Sequence, residues 1–241
     1  MGEFQKLWPD GPLFTQADHF PLGTDSVLLA DFTPVKGAKR GIDLGCGSGV
    51  IALLLLLRAE KLHMTGLELS GQSAQTAREN LAANALDGRS EIVCGDIRAA
   101  RSLFRSGSFD LVVANPPYYP VGSGALPQDP ARAAARGELS CTLDELCGAA
   151  AYLCRSGGRF CLVHKPERLS EAFCCMSAQG LEPKRLRLVC KTPETAPWLF
   201  LLEGKKGGKP FLQVEPSLFV RSGGEMTAEA AQICHFGDKY L

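Results

Sequence analysis

The sequence has no long apolar run, no excess charge of either sign and no paired cysteine motif. Its longest apolar stretch, Val50 to Leu57, is far shorter than the ~20 residues of a membrane-spanning helix. Residues 1–10 contain no basic segment followed by an apolar core, so we expect neither a secretory signal nor a membrane anchor. The formal net charge is zero, whereas nucleic-acid-binding domains are commonly basic.

The ten cysteines form no Cys-x-x-Cys pair, which disfavours zinc and redox motifs. Cys174 and Cys175 are adjacent on a predicted helix, so they cannot easily face one metal ion. A chain of 241 residues buries enough surface to fold without disulfides. We therefore predict reduced thiols, no metal site and a cytoplasmic location.

Short apolar segments alternate with segments of helical pattern, and no internal repeat is visible. The predicted strands are residues 39–44, 64–68, 90–94, 109–114, 158–164, 183–190 and 197–203. The predicted helices are residues 49–59, 71–84, 143–154 and 167–178, with a further helical stretch at 227–234. This alternation predicts an α/β fold with a doubly wound, mostly parallel seven-stranded sheet. The short link between the last two strands makes them antiparallel neighbours, and we expect an antiparallel edge strand.

The segment Asp110 to Tyr119 carries the strongest chemical signal. The apolar run Leu111 to Ala114 predicts a buried parallel strand, and two prolines end it because proline has no N–H donor and a fixed φ. Open α/β sheets bind their ligands at the carboxyl ends of such strands. This pattern therefore predicts a ligand-binding turn beginning at Asn115.

The turn is suited to holding an amino group. The Asn115 side-chain carbonyl and the Pro116 backbone carbonyl could both accept hydrogen bonds from one exocyclic amine. Tyr118 could stack on the ring that carries the amine. A plain tight turn, with Tyr118 as a packing residue, is the structural alternative.

A glycine-rich turn follows the first strand of the predicted sheet. Gly45, Gly47 and Gly49 allow a tight turn and close approach of a ligand. Val50 occupies the position of the last glycine in a dinucleotide fingerprint. The G-x-G-x-G spacing, with an acid two residues before it, resembles instead the turn with which methyltransferases hold S-adenosylmethionine. Asp43 would position the charged amino-acid end of that cofactor through water.

Two further acids follow strands in the same order. Glu68 ends the second strand, where a carboxylate can accept hydrogen bonds from ribose hydroxyls. Asp96, with Ile97 beside it, follows the third strand, where the carboxylate and nearby backbone N–H groups could meet adenine. Either acid alone is more commonly a helix cap.

These motifs resemble class I S-adenosylmethionine-dependent methyltransferases, with their Rossmann-like sheet, across residues 23–203. The Asn115-Pro-Pro-Tyr118 signature is typical of the amino-methylating branch. Within that branch, Gly23-Thr-Asp-Ser-Val-Leu-Leu-Ala30, the second aromatic at Tyr119 and the segment 135–144 resemble bacterial tRNA (adenine-N6)-methyltransferases. The resemblance implies methyl transfer from S-adenosylmethionine to the N6 amine of an adenosine beside the anticodon of a valine tRNA.

The resemblance also implies residue roles. Thr24 and Asp25 would lie near the methionine end of the cofactor, while Asp43, Gly45, Gly47, Glu68, Asp96, Ile97 and Asn115 would line the rest. Tyr118, Tyr119 and Arg136 would face the substrate, although Arg136 could equally be a solvated helix charge. We expect an extension with a cofactor-covering helix at 1–38, a catalytic domain at 39–203 and a hairpin and helical tail at 204–241.

Other functions use parts of this pattern. Protein glutamine methyltransferases carry the same tetrapeptide but usually have a sizeable helical domain before it, and here fewer than forty residues precede the first predicted strand. A DNA adenine methyltransferase would need a target-recognition domain. A non-catalytic module that binds S-adenosylmethionine or RNA is an alternative of a different class. The sequence leaves open whether the protein is a monomer or a homodimer.

Two segments have open roles. Residues 119–137, rich in Gly, Pro and Ala, form either a substrate-gripping loop or a surface connection. Seven basic residues lie between Lys184 and Lys209, where they form either an RNA-binding surface or a solvated sheet edge. His164 and Cys46 lie near the predicted site, and for both we favour packing over catalysis.

Overall fold

The computed structural model describes residues 3–16, 23–118 and 141–234. The strands are β1 (Gln5–Lys6), β2 (Leu13–Phe14), β3 (Arg40–Leu44), β4 (His63–Glu68), β5 (Ser90–Cys94), β6 (Phe109–Ala114), β7 (Cys154–His164), β8 (Leu181–Cys190), β9 (Pro197–Lys206), β10 (Gln213–Val214), β11 (Leu218–Phe219), β12 (Arg221–Ser222) and β13 (Glu225–Met226). The helices are α1 (Thr24–Phe32), α2 (Val50–Arg58), α3 (Gly71–Ala83), α4 (Ala100–Leu103), α5 (Leu143–Leu153), α6 (Leu169–Ala178) and α7 (Ala228–Cys234). Short 3-10 turns precede β5, α4 and α6.

The main sheet has the order β8-β9-β7-β6-β3-β4-β5, and β10 and β11 pair with β8. Strands β3 to β7 run parallel to one another, whereas β9 is antiparallel to β7 and β8. Helices cover both faces of this sheet. The predicted α/β fold and the antiparallel pairing of the last two long strands are confirmed.

We expected the antiparallel strand at the edge of the sheet, and this detail of the prediction is wrong. Among the seven long strands β9 lies one position inside, between β7 and β8, and β10 and β11 pair with the other side of β8. Strand β9 is buried from Leu199 to Gly204, so it can be covered on both faces. Strand β8 carries Lys184, Arg185 and Arg187, which suit an outer position. The last predicted strand, residues 197–203, is longer than expected, since β9 continues to Lys206.

Alternating side chains of the central strands serve two separate cores. On β6, Leu111 and Val113 pack toward the core that contains α1, α2 and α3, whereas Val112 packs toward the core that contains α5 and α6. On β3, Ile42 belongs to the second core. Because successive side chains alternate between faces, Asp43 points toward the first core.

Helix α2 is apolar on all sides because it is buried on nearly all sides. Residues Val50 to Leu56 are buried between the sheet and neighbouring helices. The helix begins after Gly49, whose φ of +81° is readily adopted only by glycine. No helix in the described ranges is both long and apolar enough to cross a membrane.

Helix α1 is fixed at its carboxyl end by two arginines from distant elements. Arg58 donates hydrogen bonds to the carbonyl oxygens of Ala30 and Thr33. Arg185 donates to the carbonyl of Phe32 and lies over its ring, 3.9 Å from the centroid. These bonds satisfy carbonyls that a helix end leaves without intrahelical partners, and they set the position of α1 relative to the sheet.

Two asparagines one helical turn apart hold the N-terminal segment on α3. The Asn80 side chain is fully buried; it accepts from the N–H of Thr15 at 2.8 Å and donates to the carbonyls of Thr15 and Ser48 at 2.9 and 2.8 Å. Asn84 forms a similar pair with the backbone of Leu13. Asn80 therefore joins the N-terminal segment to the glycine-rich turn.

We expect Asn80→Ala to lower the free energy of unfolding by about 2–4 kcal/mol, because three buried backbone groups lose their partner. Asn84→Ala is the matched control, since its backbone pair is exposed; it should cost about 1 kcal/mol or less. Urea unfolding of both variants measures the difference. Equal losses in the two variants would contradict the role assigned to Asn80.

Candidate active site

The carboxyl ends of β3, β4, β5, β6 and β7 meet at one edge of the sheet, as parallel pairing requires. In β3, Asp43 lies beside Gly66 of β4 and Val113 of β6. The strand β9 begins at this same edge because it runs antiparallel to β7. We call this the carboxyl edge; it brings together the turns that the sequence analysis singled out.

The glycine-rich turn follows β3 in a conformation that favours glycine. Gly45, Gly47 and Gly49 have φ values of +76°, +54° and +81°. A side chain at Gly49 would lie 3.0 Å from the Cβ atom of Ala77 on α3. The Cδ1 atom of Ile97 is 3.8 Å from an ideal Cβ position at Gly45, so Ile97 and the turn share one side of the candidate site.

Glu68 ties the end of β4 to the glycine-rich turn. One carboxylate oxygen accepts from the N–H of Gly47 at 2.8 Å and the other from the N–H of Ser70 at 2.9 Å. The side chain is buried, with 4% exposure. Each oxygen keeps a second lone pair, so binding of ribose hydroxyls at Glu68 stays a prediction.

Asp43 has no partner among the described residues. Neither carboxyl oxygen has a hydrogen bond, and the residue is completely buried. Burial, with a smaller contribution from the charge of Glu68, raises the pKa of Asp43 from 3.8 to about 8. A buried acid with two unsatisfied oxygens is costly, which indicates a place where a donor group or water belongs.

Asp96 is engaged by its own turn. Its carboxylate accepts from the backbone N–H of Arg98 at 2.8 Å and from the Arg98 guanidinium at 2.5 to 3.0 Å. This contact lowers the pKa of the Asp96 carboxyl group. Its predicted hydrogen bond to adenine is untested, and it would have to share oxygens that Arg98 already occupies.

The Asn115 side chain is oriented by helix α1. Its Nδ2 atom donates to the hydroxyl of Ser26 at 2.9 Å. No donor among the described residues reaches its Oδ1 atom, so the amide oxygen stays available as an acceptor. Ser26, at 8% exposure, was not identified from the sequence, since a serine inside an apolar helix gives no catalytic signal.

Tyr118 is held by contacts on several sides. Its hydroxyl donates to the Asp25 carboxylate, and its ring centroid lies 5.4 Å from that of His164. The ammonium of Lys165 lies 5.2 Å from the Tyr118 centroid and 5.0 Å from that of Trp198. Burial and the charge of Asp25 raise the pKa of the Tyr118 hydroxyl far above its usual value, so it stays protonated.

His164 acts as a packing residue here. Burial lowers its pKa to about 4, and Nδ1 accepts from the N–H of Lys165 at 2.8 Å, so at neutral pH the proton is on Nε2. Burial, followed by the charges of Asp43 and Glu68, raises the pKa of the Cys46 thiol well above its usual value. A protonated thiol is a poor nucleophile.

The structure brings Asp25, Asn115 and Tyr118 together on one side of the carboxyl edge, and Gly47 and Glu68 on the other. Thr24 begins α1 and is buried. Tyr119 and Arg136, with the loop 119–137 that was predicted to grip substrate, lie outside the described residues. Within the described ranges, no cluster of three or more His, Cys, Asp or Glu side chains is arranged to hold a metal ion.

The raised pKa of Asp43 predicts a stability loss as pH rises. Because the folded state holds the proton up to about pH 8 and the unfolded state releases it near 3.8, folding takes up a proton between these values and stability falls with rising pH. Asp43→Asn should therefore raise the melting temperature relative to the parent protein, by an amount that grows from pH 5 to pH 8.

Asp110→Asn is the control of opposite sign. Hydrogen bonds from the N–H groups of Arg40 and Lys39 and from Arg155 outweigh the effect of burial and lower the Asp110 pKa. This substitution should lower the melting temperature at neutral pH, with the loss shrinking as pH falls toward 3. Parallel pH profiles for the parent protein and Asp43→Asn would contradict the assignment.

Comparison with known proteins agrees with this geometry. Residues 16–126 match the family described as methyltransferase small domain. The chain is 36% identical over 177 residues to the tRNA1(Val) (adenine(37)-N6)-methyltransferase of Bacteroides fragilis, an alignment that covers 73% of each chain. It is 31% identical over 221 residues to the protein of the same name from Aeromonas hydrophila, covering 91% of this chain and 86% of the relative.

A solved structure supports the fold. The crystal structure of a predicted O-methyltransferase from Agrobacterium tumefaciens superposes with a TM-score of 0.70 at 21% identity, covering 88% of this chain and 95% of that one. At that identity the likeness concerns the fold alone. The two relatives carry the assignment further: the chain belongs to the family of tRNA1(Val) (adenine(37)-N6)-methyltransferases.

Proposed function

We propose that this protein transfers the methyl group of S-adenosylmethionine to the N6 amine of an adenosine in tRNA. The names of its relatives point to adenosine 37 of a valine tRNA as the target. The observation that carries the proposal is the orientation of Asn115, whose amide nitrogen is held by Ser26 while its oxygen is left for an incoming amine. The free thiols of all ten cysteines suit a cytoplasmic enzyme.

The carboxyl edge fits a cationic nucleoside cofactor. The unpartnered Asp43 carboxyl group matches a ligand that carries an ammonium group, either directly or through a water molecule. The glycine-rich turn leaves room for close backbone approach, and Glu68 holds that turn in place. We assign Asp43, Gly45 and Gly47 to the amino-acid end, and Glu68, Asp96 and Ile97 to the nucleoside.

The acceptor amine would be held by two carbonyl oxygens. Asn115 Oδ1 and the carbonyl of Pro116 accept its two hydrogens. Two in-plane acceptors would turn the nitrogen lone pair, which is delocalised into the ring, toward an electrophile. The aromatic ring of Tyr118 would stack on the base, as aromatic side chains do on unstacked RNA bases.

When bound, S-adenosylmethionine supplies an activated methyl group, so the protein needs no covalent intermediate. The chain contributes positioning, which can lower a barrier by about 7–11 kcal/mol. The adenosine must leave its stack in the RNA loop to reach the carboxyl edge. Directly after transfer the amine nitrogen is cationic and carries two hydrogens, which the Asn115 and Pro116 oxygens would accept. One of these hydrogens then leaves as a proton to solvent water, and the methylated amine keeps a single hydrogen for one of the two oxygens.

The division of the chain into three parts is also proposed. The segment 1–38 contains α1, whose Asp25 and Ser26 contact the catalytic turn, and this supports a helix that covers the cofactor. Residues 39–203 would form the catalytic domain. The tail, 204–241, would pack on the same domain, as the pairing of β10 and β11 with β8 supports.

Removing the acceptor oxygen should abolish most turnover. We expect Asn115→Ala to lower kcat for methyl transfer to unmodified valine tRNA by about 100–1000-fold, the scale seen when one stabilising polar group is removed from an active site. S-adenosylmethionine affinity, measured by calorimetry, should change by less than about 3-fold, because Asp43 and Glu68 are untouched. Radiolabelled methyl incorporation gives the rate.

Ser26→Ala tests the orientation of Asn115 separately. It keeps the amide but removes the partner that fixes it, so we expect an intermediate loss of about 10-fold in kcat. A transcript with guanosine in place of adenosine 37 is the acceptor control. Labelling of that transcript would contradict the proposed target, and labelling of a release-factor glutamine in place of tRNA would favour protein methylation.

A further inference from the structure

Charge is unevenly distributed along the strands, although the net charge is zero. The acids Asp43, Glu68 and Asp96 lie at the carboxyl edge. At the opposite end of the sheet, β9 finishes with Lys205 and Lys206, and we call this the amino edge. A neutral chain can therefore still present a basic surface, which whole-chain charge does not reveal.

A groove at the amino edge is lined by four lysines. It has a volume of about 430 Å³, and its lysines are Lys184, Lys205, Lys206 and Lys209. Backbone of Gly157, Gly207 and Gly208 contributes to its wall. No acidic side chain is among the residues that line it. Four ammonium groups around one concavity repel each other, and a polyanion in the groove would offset that repulsion.

The bonding partners of these lysines differ from those of the two arginines in the same segment. Arg185 pairs with Glu203 and Glu215, and Arg187 pairs with Glu229, so both arginines are neutralised. By contrast, Lys184 donates to the carbonyl of Lys209 at 2.9 Å, and Lys206 donates to the carbonyl of Gln179 at 3.0 Å. Each ammonium is thereby positioned, and each keeps two N–H donors.

The ammonium groups of the remaining two lysines form no ion pair with the described residues. Neither Lys205 nor Lys209 has an acidic partner in the described part of the chain. Charge-assisted bonds to phosphate oxygens are among the strongest that lysine forms. The groove thus has the chemistry of a phosphate-binding site.

Its distance from the carboxyl edge limits the kind of ligand. In the β7–β9 pair, Phe200 lies opposite His164 and Lys205 lies opposite Arg159. Five residues of strand separate the two levels, or about 17 Å at ~3.3 Å per residue. A molecule with one base at the catalytic turn and phosphates in the groove must span at least that distance, which an RNA stem does.

We propose that Lys184, Lys205, Lys206 and Lys209 bind the phosphate backbone of the tRNA stem while the loop adenosine occupies the carboxyl edge. This inference rests on the proposed function, since it takes tRNA as the substrate. The groove positions the RNA without reading its sequence, because backbone contacts carry no base information. It also explains how a chain of zero net charge holds a polyanion.

The test is the double variant Lys205→Ala/Lys209→Ala, compared with Lys36→Ala/Lys61→Ala, which removes two exposed lysine charges outside the groove. For the groove variant we expect KM for full-length tRNA to rise about 5–20-fold with kcat unchanged. The slope of log affinity against log salt should become shallower by about 1–2, in line with two lost phosphate contacts. The control variant should change KM by less than about 2-fold.

Two further readouts separate the inference from the proposed function. An RNA limited to the anticodon loop cannot reach the groove, so its KM should be the same for the parent protein and the groove variant. Gel-shift binding of tRNA without S-adenosylmethionine reports on the lysines even if no methyl transfer is found. Equal effects of the two double variants, or tRNA affinity unchanged in the groove variant, would overturn the phosphate-binding role.

Discussion

Helix α1 is fixed at both ends, and the arrangement of the carboxyl edge depends on this. At its carboxyl end, Arg58 and Arg185 donate to backbone carbonyls. At its amino end, Asp25 and Ser26 receive Tyr118 and Asn115. The helix has a buried apolar body, so it links the two arginine contacts at its carboxyl end to the catalytic turn at its amino end. A small displacement of this helix would rotate the Asn115 side-chain amide, and the proposed positioning of the substrate amine depends on the orientation of that amide.

The same edge carries a group that works against folding. Asp43 is buried, has no partner among the described residues and lies close to Glu68. A sequence selected for stability alone would place an apolar residue on this strand, as it does at Ile42 and Leu44. An acid at such a position suits a ligand or water molecule that donates hydrogen bonds to its oxygens, which is the role proposed for Asp43 above. The cost is tolerated because β3 lies inside the sheet, with parallel partners on both sides.

The acids of the carboxyl edge and the lysines of the groove lie at opposite ends of the sheet. A cationic cofactor favours acids where it binds, and those acids would repel RNA phosphates at the same edge. Under the proposal, positive charge at the amino edge attracts the RNA without neutralising the acids of the carboxyl edge, since it lies more than a Debye length away. Lys165, packed between Tyr118 and Trp198, is a cation close to the catalytic turn.

The sequence by itself determined the sheet and the order of its turns. Apolar runs, glycine spacing and the double proline are local signals, and β5 and β6 have the predicted bounds. Sequence also located Asp43, Glu68 and Asn115, because each follows or ends a recognisable strand. Only tertiary structure decided which groups meet: Ser26 with Asn115, Asn80 with the glycine-rich turn, Arg98 with Asp96, and β9 between β7 and β8. Such contacts join residues far apart in the chain or depend on side-chain rotamers. Their energies depend on burial, which a linear sequence pattern does not encode.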